Sequence, residues 1–172
     1  MLQIKRKALW IILVLWVFFS ACGYRFTGSG GFPAGIKTMS ITTFENRTVV
    51  TGLENTVTND LIYEVTRSKG VVLVRKDKAE ADLSGVIVST QTGAISRRDV
   101  GASTERRVTV TLDLKLTNTS GIIIWSANGV AQSEAYVVED DKQGTEQNRL
   151  DAISKASKRL AETIYNRLTE DF

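Results

Sequence analysis

Histidine is absent from the 172 residues, and cysteine and proline occur once each, as Cys22 and Pro33. Without histidine there is no Ser–His or Cys–His pair, no imidazole metal site, and none of the side chain most used for proton transfer near neutrality. A single cysteine forms no intrachain disulfide and no thiolate cluster. Long apolar runs are missing after Phe19. A genuine excess of positive charge is missing too. The formal net charge is +3, and Lys5, Arg6 and Lys7 supply all of it, because residues 1–21 hold no acid. From residue 22 onward the charges balance, which leaves no electrostatic footprint for nucleic acid. The absences therefore favour a non-enzymatic protein with no metal and no cofactor.

What is present begins with a leader. The three cations precede twelve unbroken apolar residues, Ala8 to Phe19, then Ser20, Ala21 and Cys22. A basic n-region, a short apolar h-region and small residues at the end make a secretory signal. Twelve helical residues rise only ~18 Å, short of the ~30 Å hydrocarbon core, so a permanent span is not expected. Phe19-Ser20-Ala21-Cys22 resembles a bacterial lipobox, with Phe19 in place of the usual leucine. That resemblance implies cleavage after Ala21 and acylation of Cys22. Three acyl chains would hold the protein permanently, because each buried methylene contributes ~0.8 kcal/mol. Lipoproteins retained in the inner membrane typically carry Asp after the cysteine. Gly23 stands here, which points to the outer membrane, periplasmic face.

The chain then divides into residues 1–21 (signal), 22–35 (lipidated N-terminus and tether) and 36–172 (one folded domain). Gly23 to Gly35 contains five glycines and the proline, a flexible composition. Gly28-Ser29-Gly30-Gly31 lacks the preceding strand and following helix of a phosphate loop. Ile36 to Phe44 reads as a first strand, Thr51 to Ser68 as a helix on Leu53, Val57, Leu61, Ile62 and Val65, with Gly70 as its stop. Val71 to Val74 reads as a short buried strand, and Leu83 to Ile95 as a longer one. Arg106 to Thr117 alternates most clearly, with Val108, Val110, Leu112, Leu114 and Leu116 on one face and threonine-rich polar residues on the other. After a turn at Asn118 to Gly121 comes a strand from Ile122 to about Val138, anchored by Trp125 and Tyr136. Glu139-Asp140-Asp141 lacks the spacing of a calcium loop and reads as solvated. A long helix from Thr145 to Leu168 follows, with Leu150, Ile153, Ser157, Leu160, Ala161, Ile164 and Leu168 inward. The expected fold is α+β, two helices packed on one face of a mostly antiparallel sheet of four to five strands, an α/β sandwich.

Several of these stretches together resemble one family. Cys22-Gly23-Tyr24-Arg25-Phe26 opens the processed chain, and Ile41-Thr42-Thr43-Phe44-Glu45-Asn46-Arg47-Thr48 leads into the first helix. Ala81-Asp82-Leu83-Ser84-Gly85 opens the next long strand, and Trp125 sits early in the last. The sequence is similar to the outer-membrane LPS-assembly lipoprotein (LptE) family over nearly all of residues 22–172. The resemblance implies a sandwich fold, a role as plug and assembly partner of an LptD-type β-barrel translocon, and binding of lipopolysaccharide.

Arg97 and Arg98 close one strand, and Arg106 and Arg107 open the next. In a hairpin these four would gather at the tip. Guanidinium forks bind phosphates bidentately, and lipid A carries phosphates. Acidic barrel residues or plain solvent are the alternative neighbours; Lys37 and Lys142 are weaker candidates. A different class, a periplasmic lipoprotein that activates or scaffolds another envelope complex, would need a longer tether. From Cys22 to the first strand the chain reaches roughly 45 Å at ~3.3–3.6 Å per residue. An enzyme is the third class, disfavoured by the missing histidine and free thiol.

Overall fold

The most regularly alternating segment becomes strand β5 (Ser103–Asn118), held between two long antiparallel neighbours. It belongs to a computed structural model that describes residues 31–97 and 103–170. The remaining elements are β1 (Thr38–Ile41), β2 (Glu45–Asn46), α1 (Leu53–Ser68), β3 (Val72–Leu73), β4 (Ala81–Arg97), β6 (Ile123–Val137) and α2 (Lys142–Glu170). Six strands form one sheet in the order β3-β1-β4-β5-β6, with β2 also on β4. The architecture is an α+β sandwich of two helices and a mixed sheet.

β4, β5 and β6 form an antiparallel meander, whereas β1, β2 and β3 pair in parallel. Helix α1 crosses over between β1 and β3, which is how parallel neighbours are joined. Two-residue strands leave no period in a sequence, and that is why the mixed edge was not legible. The stretch Val71–Val74 departs from expectation. Val71 is buried, but Val72 is 63% exposed, because β3 forms the open edge of the sheet.

One face of the sheet makes the core. Val108, Val110, Leu112, Leu114 and Leu116 are all buried, beside Leu83 and Ile87 of β4 and Trp125, Val130 and Tyr136 of β6. Leu53, Val57, Leu61 and Val65 of α1 and Ala156, Leu160, Ile164 and Leu168 of α2 close over them in a single cluster. The helices also pack on each other. There Ser157, fully buried, donates to Asp60 Oδ2 at 2.5 Å, across 97 residues of sequence. Leu150 does not join this cluster and is 42% exposed. The buried stripe of α2 starts at Ala152, and the turns before it are tied by polar bonds. Among these, Asn148 Nδ2 donates to the Val137 carbonyl.

Gly70 is not the left-handed stop of α1; Lys69 takes that conformation, with φ of 55°. Gly70 is required for room instead. A Cβ there would lie 2.9 Å from Tyr165 Oη and 3.0 Å from Phe32 Cε2. Phe32 is itself buried and meets Tyr165 edge-on at 5.9 Å. The end of the glycine-rich segment thus belongs to the folded body, followed by a 3-10 turn at Pro33–Gly35. No helix among the described residues is long and apolar enough to cross a membrane.

Candidate interaction surface

The arginine hairpin forms as a register, from Ala81 opposite Asn118 to Arg97 opposite Ser103. Arg106 pairs with Ala94 and Tyr136, and Arg107 with Gly93 and Ala135. Successive strand residues point to opposite faces. Arg106 therefore shares the face of Val108 and Tyr136, and Arg107 that of Thr109. Both are exposed. Arg97 enters only through its backbone pairing, while Arg98, like Ala21 and Cys22, lies outside the described residues. The structure brings Arg106 and Arg107 to one end of the sheet but divides them between its two sides. Ile95 (44% exposed) and Val137 (50%) sit at the same end, Val137 opposite Glu105. This apolar component beside the cations escaped the sequence reading, because each residue looked like an ordinary strand position.

The second feature is the sheet face turned away from the helices. Thr109, Thr111, Asp113, Lys115 and Thr117 run down its centre, flanked by Ser84, Ser89 and Gln91 on β4 and Ser126 and Ser133 on β6. Thr109 and Ser133 are linked across strands, hydroxyl to hydroxyl at 3.2 Å. Asp113 accepts from the backbone N–H of Gly129 at 2.8 Å, where β6 bulges and Gly129 adopts φ of 65°. The face is small, polar and broad. No element of the described chain covers it.

The residues that carried the family resemblance have structural duties. Asp82 accepts from Ser40 Oγ (2.6 Å), Thr42 Oγ1 (2.9 Å) and Lys76 Nζ (2.8 Å), stitching β4 to β1 and to the Lys76–Lys78 turn. Gly85 leaves space that a Cβ would take, 2.9 Å from Leu114 Cδ2, 3.2 Å from the Asp113 carbonyl and 3.2 Å from Phe44 Cδ1. Phe44 is buried, and its N–H donates to Thr58 of α1. Asn46 donates to the Val50 carbonyl and Glu54, and accepts from Thr48 twice, setting the approach to α1.

Burial of Asp82 works to raise its carboxyl pKa. The bonds from Lys76, Ser40 and Thr42 outweigh that and hold it below its ordinary value. A lowered folded-state pKa stabilises above the unfolded carboxyl range, and the benefit disappears as pH falls through the folded value. Asp82→Asn is expected to cost about 1.5–3 kcal/mol at pH 7, the range for hydrogen bonds to a charged group. Urea unfolding should show the gap between mutant and wild type closing below about pH 3.9, the unfolded aspartate value. A gap that persists at acid pH would mean that the charge of Asp82 is not what matters.

Comparison with known proteins adds the following. The family model described as "LptE: Lipopolysaccharide-assembly" matches residues 36–168. No curated protein matches significantly in sequence. Among solved structures, the chain is similar to an uncharacterized lipoprotein B from Nitrosomonas europaea, with 15% identity, TM-score 0.60, and coverage of 86% of this chain and 90% of that one. It is also similar to the rare lipoprotein B from Shewanella oneidensis, with 10% identity, TM-score 0.56, and coverage of 78% and 95%. A minor lipoprotein from Acinetobacter baumannii aligns with 16% identity, TM-score 0.53, and coverage of 78% and 92%. At these identities the likeness is one of fold.

Proposed function

The chain belongs to the LptE lipopolysaccharide-assembly family, and from that membership we propose that it plugs and helps assemble an LptD-type β-barrel in the outer membrane. In this reading Cys22 is acylated after cleavage at Ala21, and the body sits at the periplasmic face of the outer membrane. It acts without catalysis, as a rigid insert that assists passage of lipopolysaccharide to the outer leaflet.

The observation that supports this most is the uncovered sheet face. A plug must fill a polar lumen, and here a broad row of threonine, serine and glutamine side chains lies opposite the core face of the sheet. The hairpin end adds the components an amphiphilic ligand needs, guanidinium groups on both faces at the end where Ile95 and Val137 are exposed, Val137 on the Arg107 side. Arg107 stands on the lumen-matching face, and Arg106 on the helix side, away from it.

The test separates these roles. Affinity purification of the acylated protein from detergent-solubilised outer membranes should bring down a large β-barrel; its absence would sink the plug reading. Arg106→Glu should keep the barrel yet weaken lipopolysaccharide retention roughly tenfold, the low end for a charge-assisted bond of ~1.5–3 kcal/mol. Arg107→Glu should mainly loosen the barrel. If Arg106→Glu loses the barrel and retains lipopolysaccharide, the arginine end is a protein interface.

A further inference from the structure

The opposite end of the sheet holds a second exposed apolar feature. Ile122 (61% exposed) and Ile123 (56%) close the β5–β6 turn. The turn is firmly built. Asn118 Oδ1 accepts from the N–H of Ile122, Asn118 N–H donates back to the Ile122 carbonyl at 2.9 Å, and Gly121 takes φ of 78°. On a turn whose backbone is already fixed, burying two isoleucines costs side-chain freedom but little backbone entropy.

The same end receives the chain from its anchor side. Asn118 is opposite Ala81, Ala81 is beside Met39, and the Pro33–Gly35 turn touches β6. Only the interval from Cys22 to Gly31 separates the lipidation site from the described body. Fully extended, that interval reaches about 30 Å. Exposed Lys37, Lys69 and Lys78 lie at this end. Lys37 precedes β1, Lys69 ends α1 beside Gly70, and Lys78 closes the turn whose Lys76 shares a hollow with Gly121. The exposed apolar tip matches the interfacial layer of a bilayer, and the lysines, together with the exposed Asp77 and Glu80 at the same end, give it a charged rim of mixed sign.

We propose that the β5–β6 turn seats the protein on the membrane: Ile122 and Ile123 enter the interfacial layer of the leaflet that holds the acylated Cys22, before any partner is engaged. The inference rests on the anchor reading, which supplies the short tether. A single acyl chain or a pair of isoleucines binds a bilayer weakly, but a tether converts the second contact into an intramolecular one at high effective concentration. The body would then stand on the leaflet with its arginine end farthest from the surface.

The test uses the full chain, processed in a bacterial envelope and reconstituted into vesicles of phosphatidylethanolamine with phosphatidylglycerol. Intact mass first reports whether Cys22 carries acyl chains. Acylation consumes the only native thiol, so Ser120→Cys accepts an environment-sensitive fluorophore alone. Spin-labelled lipid should quench that fluorophore several-fold more than one on Val49→Cys, in the loop before α1. Ile122→Ser with Ile123→Ser should bring the Ser120→Cys signal down to the Val49→Cys level. An acylated protein whose turn is no better quenched than Val49→Cys overturns the proposal. If the mass shows no acyl chains, the anchor reading fails. The same quenching with unacylated chain carrying Cys22→Ala, so that Ser120→Cys or Val49→Cys is its sole thiol, then decides the wedge alone: quenching supports it, and none overturns it.

Discussion

Replacing Leu160 with aspartate is expected to abolish the cooperative unfolding transition. Leu160 is fully buried on α2, in the cluster that joins both helices to the sheet. The substitution removes about 1.5–3 kcal/mol of side-chain burial. It also leaves a carboxylate among apolar neighbours, at a cost of several kcal/mol or an equally unfavourable protonation. Domains of this size are stable by only ~5–15 kcal/mol in total. Circular dichroism against temperature should therefore show no melt, or one far below wild type. Lys158→Asp, two residues away on the exposed side, should shift stability by less than about 1 kcal/mol. Equal effects at the two positions would mean that α2 buries a different face.

Cys22→Ala should give the other large effect, on location rather than folding. It removes the thiol that the lipobox-like Phe19-Ser20-Ala21-Cys22 would present for acylation. One acyl chain gives only marginal, reversible membrane binding, and each added methylene contributes about 0.8 kcal/mol more. Going from three chains to none is thus all-or-none. Metabolic labelling with a clickable fatty acid should fall to background, and the protein should appear as uncleaved precursor or soluble material. Undiminished label on the mutant would end the lipoprotein reading. The domain itself should melt as wild type, since its buried cluster is drawn from Phe32 to Leu168.

How far the sequence could be read depended on the range of the interactions involved. Alternation along Val108 to Leu116 and the helical stripe of Ile153 to Leu168 are local patterns, and both reappear as buried faces. Leu150 shares that stripe by spacing but not by burial, because periodicity cannot say where the opposing layer ends. The parallel pairs were invisible for a similar reason: β2 and β3 are two residues long, and α1 fixes their direction. Asp82 could be seen as part of a motif, yet its partners Ser40 and Thr42 lie some forty positions earlier, so its duty emerges only in the fold. Arg106 and Arg107 teach the reverse. Their separation onto two faces follows from the alternation that places Val108 inward, once the strand is extended two residues back.

The bond between Ser157 and Asp60 has a further consequence, for the order in which the chain can settle. The core is roofed by its final element, and the stripe that seals α1 and the meander runs to Leu168. A chain emerging from its N-terminus can zip β4, β5 and β6 locally, but α1 alone is then available to cover their apolar face until α2 arrives. Loop-closure entropy is spent before these distant contacts are rewarded, so such topologies fold late and slowly. The body becomes rigid only when Lys142–Glu170 is free to dock.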